Sequence, residues 1–240
     1  MNRQTYRDRM RAVLTAVERR VLARLDTPGK IQDFLDRMPI NFERGGDTHM
    51  SPRRMLKARL AHCSEGALFA AACLLYHGKP AYLMDLRAVP KDQDHIVTLF
   101  RDGAYWGAIS KTNHAVLRYR DAIYRSPREL AMSYAHEYFL WRDGRKSLLS
   151  FSRPFSLKRF APALWLTATD ELDWLITALD DSPHESLAPA PYLRKRRRAS
   201  TLERKMMDYS EWAEPRVKNP NALRQPRVKR RVSRPSSRRG

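Results

Sequence analysis

The sequence predicts an α+β domain in which a buried helix packs against an antiparallel sheet. An amphipathic helix precedes this domain and a basic, mostly disordered tail follows it. Three observations carry that expectation. Residues 64–76 are almost free of charge after Glu65, as a helix enclosed on every side must be. Beyond Pro80 the apolar spacing changes from three and four residues to short β-branched and aromatic runs. Between two such runs stands Asp102-Gly103, a strong hairpin signal.

Residues 5–25 carry Tyr6, Met10, Val13, Leu14, Val17, Val21, Leu22 and Leu25 at helical spacing, with arginines on the remaining surface. They predict one amphipathic helix ending near Pro28-Gly29. Ile31, Phe34, Leu35 and Met38 define a second helical face that Pro39 closes, and residues 41–50, with Gly45-Gly46, read as a loop. A helical pattern over 52–60 leads to the buried helix, which Gly78-Lys79-Pro80 ends. Strands are expected at 81–88, 96–100 and 104–109. Further on, 127–139 reads as a helix through Leu130, Tyr134 and Tyr138, 147–155 as a strand, and 170–179 as a helix. Apolar content collapses after Pro183. Residues 183–240 are therefore expected to be mostly disordered, apart from a short helix around 201–209. The resulting division is a helix over 1–26, the α+β domain over 27–182 and the tail over 183–240.

The 240-residue chain has a formal net charge of +20, distributed unevenly. Residues 194–240 contain 17 Lys or Arg against 4 Asp or Glu, so the basic character belongs mainly to the tail. Such a segment favours weak, salt-sensitive, non-specific contact with nucleic acid or acidic surfaces. Its single Trp and single Tyr offer little base stacking. No apolar run is long enough to span a bilayer, and the mixed N-terminus lacks a signal core. A cytoplasmic location with no membrane partner is the expectation. Cys63 and Cys73 lie ten residues apart, roughly 15 Å along one helix, and should both be free thiols.

The candidate chemistry centres on Cys63, at the mouth of the buried helix, and His95, at the head of a strand. Unpaired N–H groups and the positive end of the helix dipole stabilise a thiolate there. Thiol acyl transfer also needs an imidazole to take and return the proton, and a group that orients the imidazole. If Asp102-Gly103 is a two-residue turn, Arg101 pairs with Ala104 and His95 lies across from Ser110. The orienting residue should then lie at or just beyond Ser110, which leaves Ser110 and Asn113 as candidates.

A cysteine opening a buried helix, a histidine heading a later strand, and a polar residue on the next strand after Trp106 resemble the transglutaminase-like branch of the papain-like cysteine fold, in particular its bacterial members. The resemblance covers roughly residues 27–124, with 62–74 and 95–113 its specific parts. It implies an α+β domain with a Cys-His-Asp triad, in which Cys63 is the nucleophile and His95 the base. At the third position the family has aspartate, whereas this chain offers Ser110, Lys111, Thr112 and Asn113. An amide serves there in papain-like relatives.

Each residue also has a plainer explanation. Free cysteines are among the most buried residues, and Cys73, surrounded by Ala and Leu, fits a core role. His62 is expected to point away from Cys63. Asp92 and Asp94 read as solvated loop charges, and His136-Glu137 lacks a second histidine at the spacing of a helical zinc site. Glu65 either supports the helix terminus or, as a nearby carboxylate, raises the thiol pKa. No cofactor or metal is expected. The leading function is acyl transfer or hydrolysis at an amide or peptide bond of a protein or peptide substrate, through a Cys63 thioester. The alternative is a non-catalytic binding protein tethered by its basic tail to nucleic acid or acidic surfaces.

Overall fold

The computed structural model describes residues 5–211. Helices α1 (Tyr6–Val13), α2 (Ala16–Arg24), α3 (Pro28–Asp36) and α4 (Pro52–Ala58) precede α5 (Cys63–Tyr76). Strands β1 (Ala81–Ala88), β2 (His95–Asp102), β3 (Tyr105–Ile109) and β4 (Arg120–Tyr124) follow, then α6 (Pro127–Tyr134), β5 (Leu148–Ser152), α7 (Pro162–Leu166) and α8 (Asp173–Asp180). Beyond these lie β6 (His184–Ser186), α9 (Ala190–Arg194), α10 (Thr201–Arg204) and a 3-10 turn over Lys205–Tyr209. The strands form one antiparallel six-stranded sheet in the order β4-β3-β2-β1-β5-β6.

Helix α5 is the centre of the molecule, and every residue from Ser64 to Tyr76 is buried. Its all-round apolar sequence cannot sit at a surface, so the sheet covers one side and the N-terminal helices the other. Ala81, Leu83, Ile96 and Phe100 face it from β1 and β2. Met10, Leu22, Ile31, Leu35 and Met55 close it from the opposite side. A Schellman motif ends the helix: Gly78, at φ +74°, donates to Leu75 and Lys79 donates to Leu74. A second core on the far face of the sheet joins Val97, Leu99 and Ala108 to Leu130, Tyr134 and Tyr138.

Four expectations are corrected. The N-terminal helix is two helices, because Leu14 is extended and Thr15 starts α2 with a capping box closed by Glu18. The apolar spacing runs through this break, so periodicity alone hides it. The hairpin turn is centred on Gly103-Ala104, and Asp102 pairs with Tyr105. Gly103 takes the positive φ of +55° that this turn requires. The helix expected over 127–139 ends at Tyr134, and Tyr138 reaches the same core from a loop.

The fourth correction concerns residues 183–211, which the sequence places in a disordered tail. Here β6 adds to β5 through the pairs Ser150–Ser186, Phe151–Glu185 and Ser152–His184. Leu187 is buried, and the Arg196 guanidinium donates to the Leu193, Leu148 and Lys146 carbonyls. Order here comes from backbone pairing and a half-buried guanidinium bonded to three carbonyls, which a count of apolar residues misses. The helix expected around 201–209 is present as α10 and its 3-10 extension. The rest of the expected tail, 212–240, lies outside the described residues. No helix among those described is long and apolar enough to cross a membrane.

Candidate functional site: a cysteine and two histidines in one cleft

Cys63 is the first residue of α5, and His62 is its N-cap. The position is built from the residues around it. Glu65, fully buried, accepts from the His62 N–H at 2.9 Å, from Thr48 Oγ1 at 3.0 Å and from the Asn41 amide at 3.2 Å. Its carboxylate ties the loop over 41–50 to the first turn of the helix, which is the supporting role the sequence allowed for it. Gly66, one residue on, lies so close to Lys111 that a Cβ there would strike the Lys111 side chain. That close approach brings the start of α5 against the chain leaving β3, where Ser110 stands.

Ser110 and His95 meet as the sequence expects, though by a different register. The observed pairing places Thr98 opposite Ile109, two residues away from the predicted alignment. A shift of two preserves which face a side chain points to, so Ser110 stays on the His95 face. His95 Nε2 lies 2.8 Å from Ser110 Oγ, and Ser110 Oγ donates to the Leu117 carbonyl at 2.5 Å. A carbonyl can only accept, so the serine proton is committed to Leu117 and the serine oxygen accepts from His95 Nε2–H. The neutral ring is thereby held in the tautomer whose free lone pair is on Nδ1, the nitrogen left for Cys63.

Ser110 is itself fixed. Gln32 accepts from the Ser110 N–H at 3.0 Å and donates to its carbonyl at 2.8 Å. Leu117 holds a left-handed φ of +60°, unusual for a branched side chain, and its N–H donates to Glu137 at 2.7 Å. Glu137 in turn accepts from Arg120 at 2.6 Å. Glu137, weighed in the sequence only as part of a metal pattern, thus supports the serine behind the histidine. Among the described residues, no three His, Cys, Asp or Glu are grouped to hold a metal ion.

Asn113 is placed elsewhere. Its amide donates to the Glu211 carbonyl at 3.2 Å, and its own carbonyl accepts from Glu211 N–H at 2.7 Å. It fastens the C-terminal end of the described chain. Asp94 accepts from Ala88 N–H at 2.7 Å and Asp92 from the Ser147 hydroxyl, so these two charges also stabilise the β1–β2 connection. They are not simply solvated.

His62 departs from expectation. Its Nδ1 lies 3.8 Å from Cys63 Sγ and 3.3 Å from the Ser64 N–H, while Nε2 lies 2.6 Å from the Thr48 carbonyl. The Nδ1 contacts exclude one another: a neutral ring accepts from Ser64, and a charged ring donates to a Cys63 thiolate. Burial opposes the charged ring, but the Cys63 sulfur, Glu65 and the Thr48 carbonyl outweigh it and push its pKa up to about 10. As the N-cap immediately before the candidate thiol, His62 was visible in sequence. Its ring direction was not.

The thiol reflects both rings. Burial alone would raise its pKa, yet hydrogen bonds to His62 and His95 and their positive charge hold it well below the ordinary thiol value. The cleft above it has a volume of about 740 Å³ and is open to Cys63, His95 and His62. His114, which also lines it, has its pKa lowered to about 4 by burial and by the His95 and Arg118 charges. The sequence offered no signal for His114 beyond its place next to Asn113.

No family model matches the sequence, and no curated protein is similar to it. Among solved structures, EGTA-treated LapG from Legionella pneumophila is similar over 44% of this chain and 68% of its own, at 12% identity and a TM-score of 0.33. The geometry of Cys63, His95 and Ser110 therefore stands on its own. It defines an α+β protein whose cleft pairs a helix-terminal thiol with an imidazole of fixed tautomer.

Proposed function

We propose that the protein catalyses acyl transfer or hydrolysis at an amide or peptide bond through a Cys63 thioester, as a transglutaminase-like member of the papain-like fold. The observation that carries this reading is the proton path. Ser110 commits its own proton to Leu117, and so leaves His95 able to receive one at Nδ1. Cys63 passes its proton to that nitrogen, and the thiolate attacks the substrate carbonyl carbon. The oxyanion faces the N-terminus of α5, where backbone N–H groups lack intrahelical partners. As the C–N bond breaks, His95 returns the proton to the leaving amine. A water or a second amine then gives its proton to His95, attacks the thioester and releases Cys63.

Ser110 does by neutral hydrogen bonding what a carboxylate would do with charge. A serine oxygen carries no formal charge, so the imidazolium lacks the opposite-charge attraction that a carboxylate triad supplies and gains less here. The nearby His62 compensates on the thiolate side by its proximity to Cys63. That substitution is also what favours the second reading, a binding protein that keeps the fold without turnover.

Reaction with p-nitrophenyl acetate separates the two. The enzyme reading expects a burst of nitrophenol equal to the protein present, an acetyl group on the Cys63 peptide by mass spectrometry, and loss of both in Cys63→Ala. Added amine that speeds deacylation identifies transfer, and no effect identifies hydrolysis. Acetylation spread over lysines and unaffected by His95→Ala would favour the binding protein.

A further inference from the structure

The chain is strongly basic, yet one arm of its cleft is acidic. Asp85, Asp94 and Asp180 line it together with Arg87. Lys111, the lysine lining the cleft, has its ammonium turned onto the Leu35 and Met38 carbonyls. Arg87 Nε reaches Asp85 Oδ2 only at 3.8 Å, and its Nη2 donates to the Asp180 backbone carbonyl at 2.6 Å.

Asp85 is the unusual member. Its side chain is 1% exposed, and its Oδ1 has no hydrogen-bond partner among the described residues. Its Oδ2 lies 2.9 Å from His184 Nε2, while His184 Nδ1 lies 2.6 Å from the Ser182 carbonyl. That carbonyl can only accept, so Nδ1 carries a proton, and the Asp85–His184 contact holds one further proton between its two partners. The pair is neutral overall and leaves one buried carboxylate oxygen unused. An unsatisfied polar atom of this kind costs about 1–3 kcal/mol, and native structures seldom keep one without a role. Burial first, then the Asp94 and Asp180 charges, raise the Asp85 pKa to about 6. Cys63 and His95 line the same cleft, and Asp85 on β1 pairs with Ile96, the residue after His95, so the arm adjoins the candidate site.

We propose that this arm receives a cationic side chain of the substrate, with Asp85 Oδ1 as its buried acceptor and Asp94 and Asp180 as flanking charges, so that the cleft selects peptides carrying arginine or lysine beside the bond attacked. The inference rests on the acyl-transfer reading for the word substrate, but the binding it describes does not require turnover. A guanidinium or ammonium supplies donors and no acceptors, which is the complement of this arm. With the Asp85–His184 pair neutral, Asp94 and Asp180 against Arg87 still leave a net negative charge here, where the chain as a whole is positive.

The test is an NMR titration of the full-length Cys63→Ala protein with two short alanine-based peptides that differ only in arginine against its neutral isostere citrulline. The expected result is at least tenfold tighter binding of the arginine peptide. The Asp94→Asn, Asp180→Asn double variant should reduce that preference to less than twofold, while Asp47→Asn, an exposed carboxylate elsewhere in the cleft, should leave it intact. Equal binding of both peptides, or binding of neither, overturns the proposal. Arginine preference without acetylation of Cys63 would leave this site standing and sink the catalytic reading; acetylation without the preference would do the reverse.

Discussion

Helix α5 carries two cysteines, ten residues apart, that differ in everything except their chemistry. Cys63 stands at the N-terminus, half-buried, with two imidazoles in reach and its pKa lowered. Cys73 stands in the middle of the helix at 0% exposure, and burial drives its pKa far above the ordinary value. Both are desolvated, and desolvation disfavours a thiolate at either place. What separates them is compensation: the helix end supplies positive partners, whereas the interior supplies alanine, leucine and phenylalanine. The same helix thus stores one thiol as core and presents the other as a nucleophile.

Alkylation should break or sharpen that contrast most strongly. In native protein at pH 7, iodoacetamide should label Cys63 at least about a thousandfold faster than Cys73, because rate follows thiolate fraction and access. In denaturant the two rates should converge. The sign of the pH effect follows from the lowered pKa. The Cys63 rate should level off at lower pH than that of an ordinary thiol, whose pKa of about 8.5 leaves its rate still climbing about tenfold per pH unit at pH 7. His95→Ala should move that climb to higher pH and slow labelling at pH 6, by roughly tenfold for every pH unit the climb moves. A Cys63 rate no faster than that of Cys73 would dissolve the distinction.

This contrast was largely legible in the sequence, because it depends on where the helix begins. The apolar run 64–76 and the charge at Glu65 place Cys63 at an end and Cys73 inside. His95 and Ser110 were also legible, since strand parity survives an error of two in register. Other features were not. The ring direction of His62 depends on Thr48, which reaches it only because Ile40 and Ala61 form a bridge that carries the loop past the helix end. The support of Ser110 by Gln32 spans 78 residues, and no local pattern encodes it. The order of 183–211 rests on pairing with β5, so it is a property of the partner strand as much as of the segment.

Two substitutions probe how the active end of α5 is held, with smaller expected effects. Gly66→Ala places a methyl group against Lys111, whose ammonium is fixed to the Leu35 and Met38 carbonyls and cannot easily retreat. Overpacking of this kind costs about 1–3 kcal/mol, read as a lower melting temperature. Because the strain falls between Cys63 and Ser110, labelling of Cys63 should slow while Cys73 stays protected. Ser110→Ala removes the acceptor of His95 Nε2–H and leaves the Leu117 carbonyl unpaired, at about 1–3 kcal/mol. It should slow labelling several-fold, less than His95→Ala, since the base remains but its tautomer is free. A Ser110→Ala rate equal to that of the unaltered protein would show that the serine does not orient His95.

Asn113→Ala should do least, and its smallness is informative. The sequence offers Asn113 beside Ser110 as the group that steadies His95, so an orienting amide would make this substitution as damaging as Ser110→Ala. In the structure the amide faces the Glu211 carbonyl at 3.2 Å, and the shorter bond to that residue, from Glu211 N–H to the Asn113 carbonyl at 2.7 Å, belongs to the backbone and survives the change. Stability should fall by no more than about 0.5 kcal/mol, as for other exposed positions. Cys63 labelling should remain within about twofold of the unaltered rate, a change that His95 tautomer loss would exceed. The visible effect should instead be local: faster hydrogen exchange at the Glu211 amide, and at Ser210, whose hydroxyl is held by His114 at 2.8 Å. Slowed labelling with unchanged exchange would return Asn113 to the site and remove Ser110 from it.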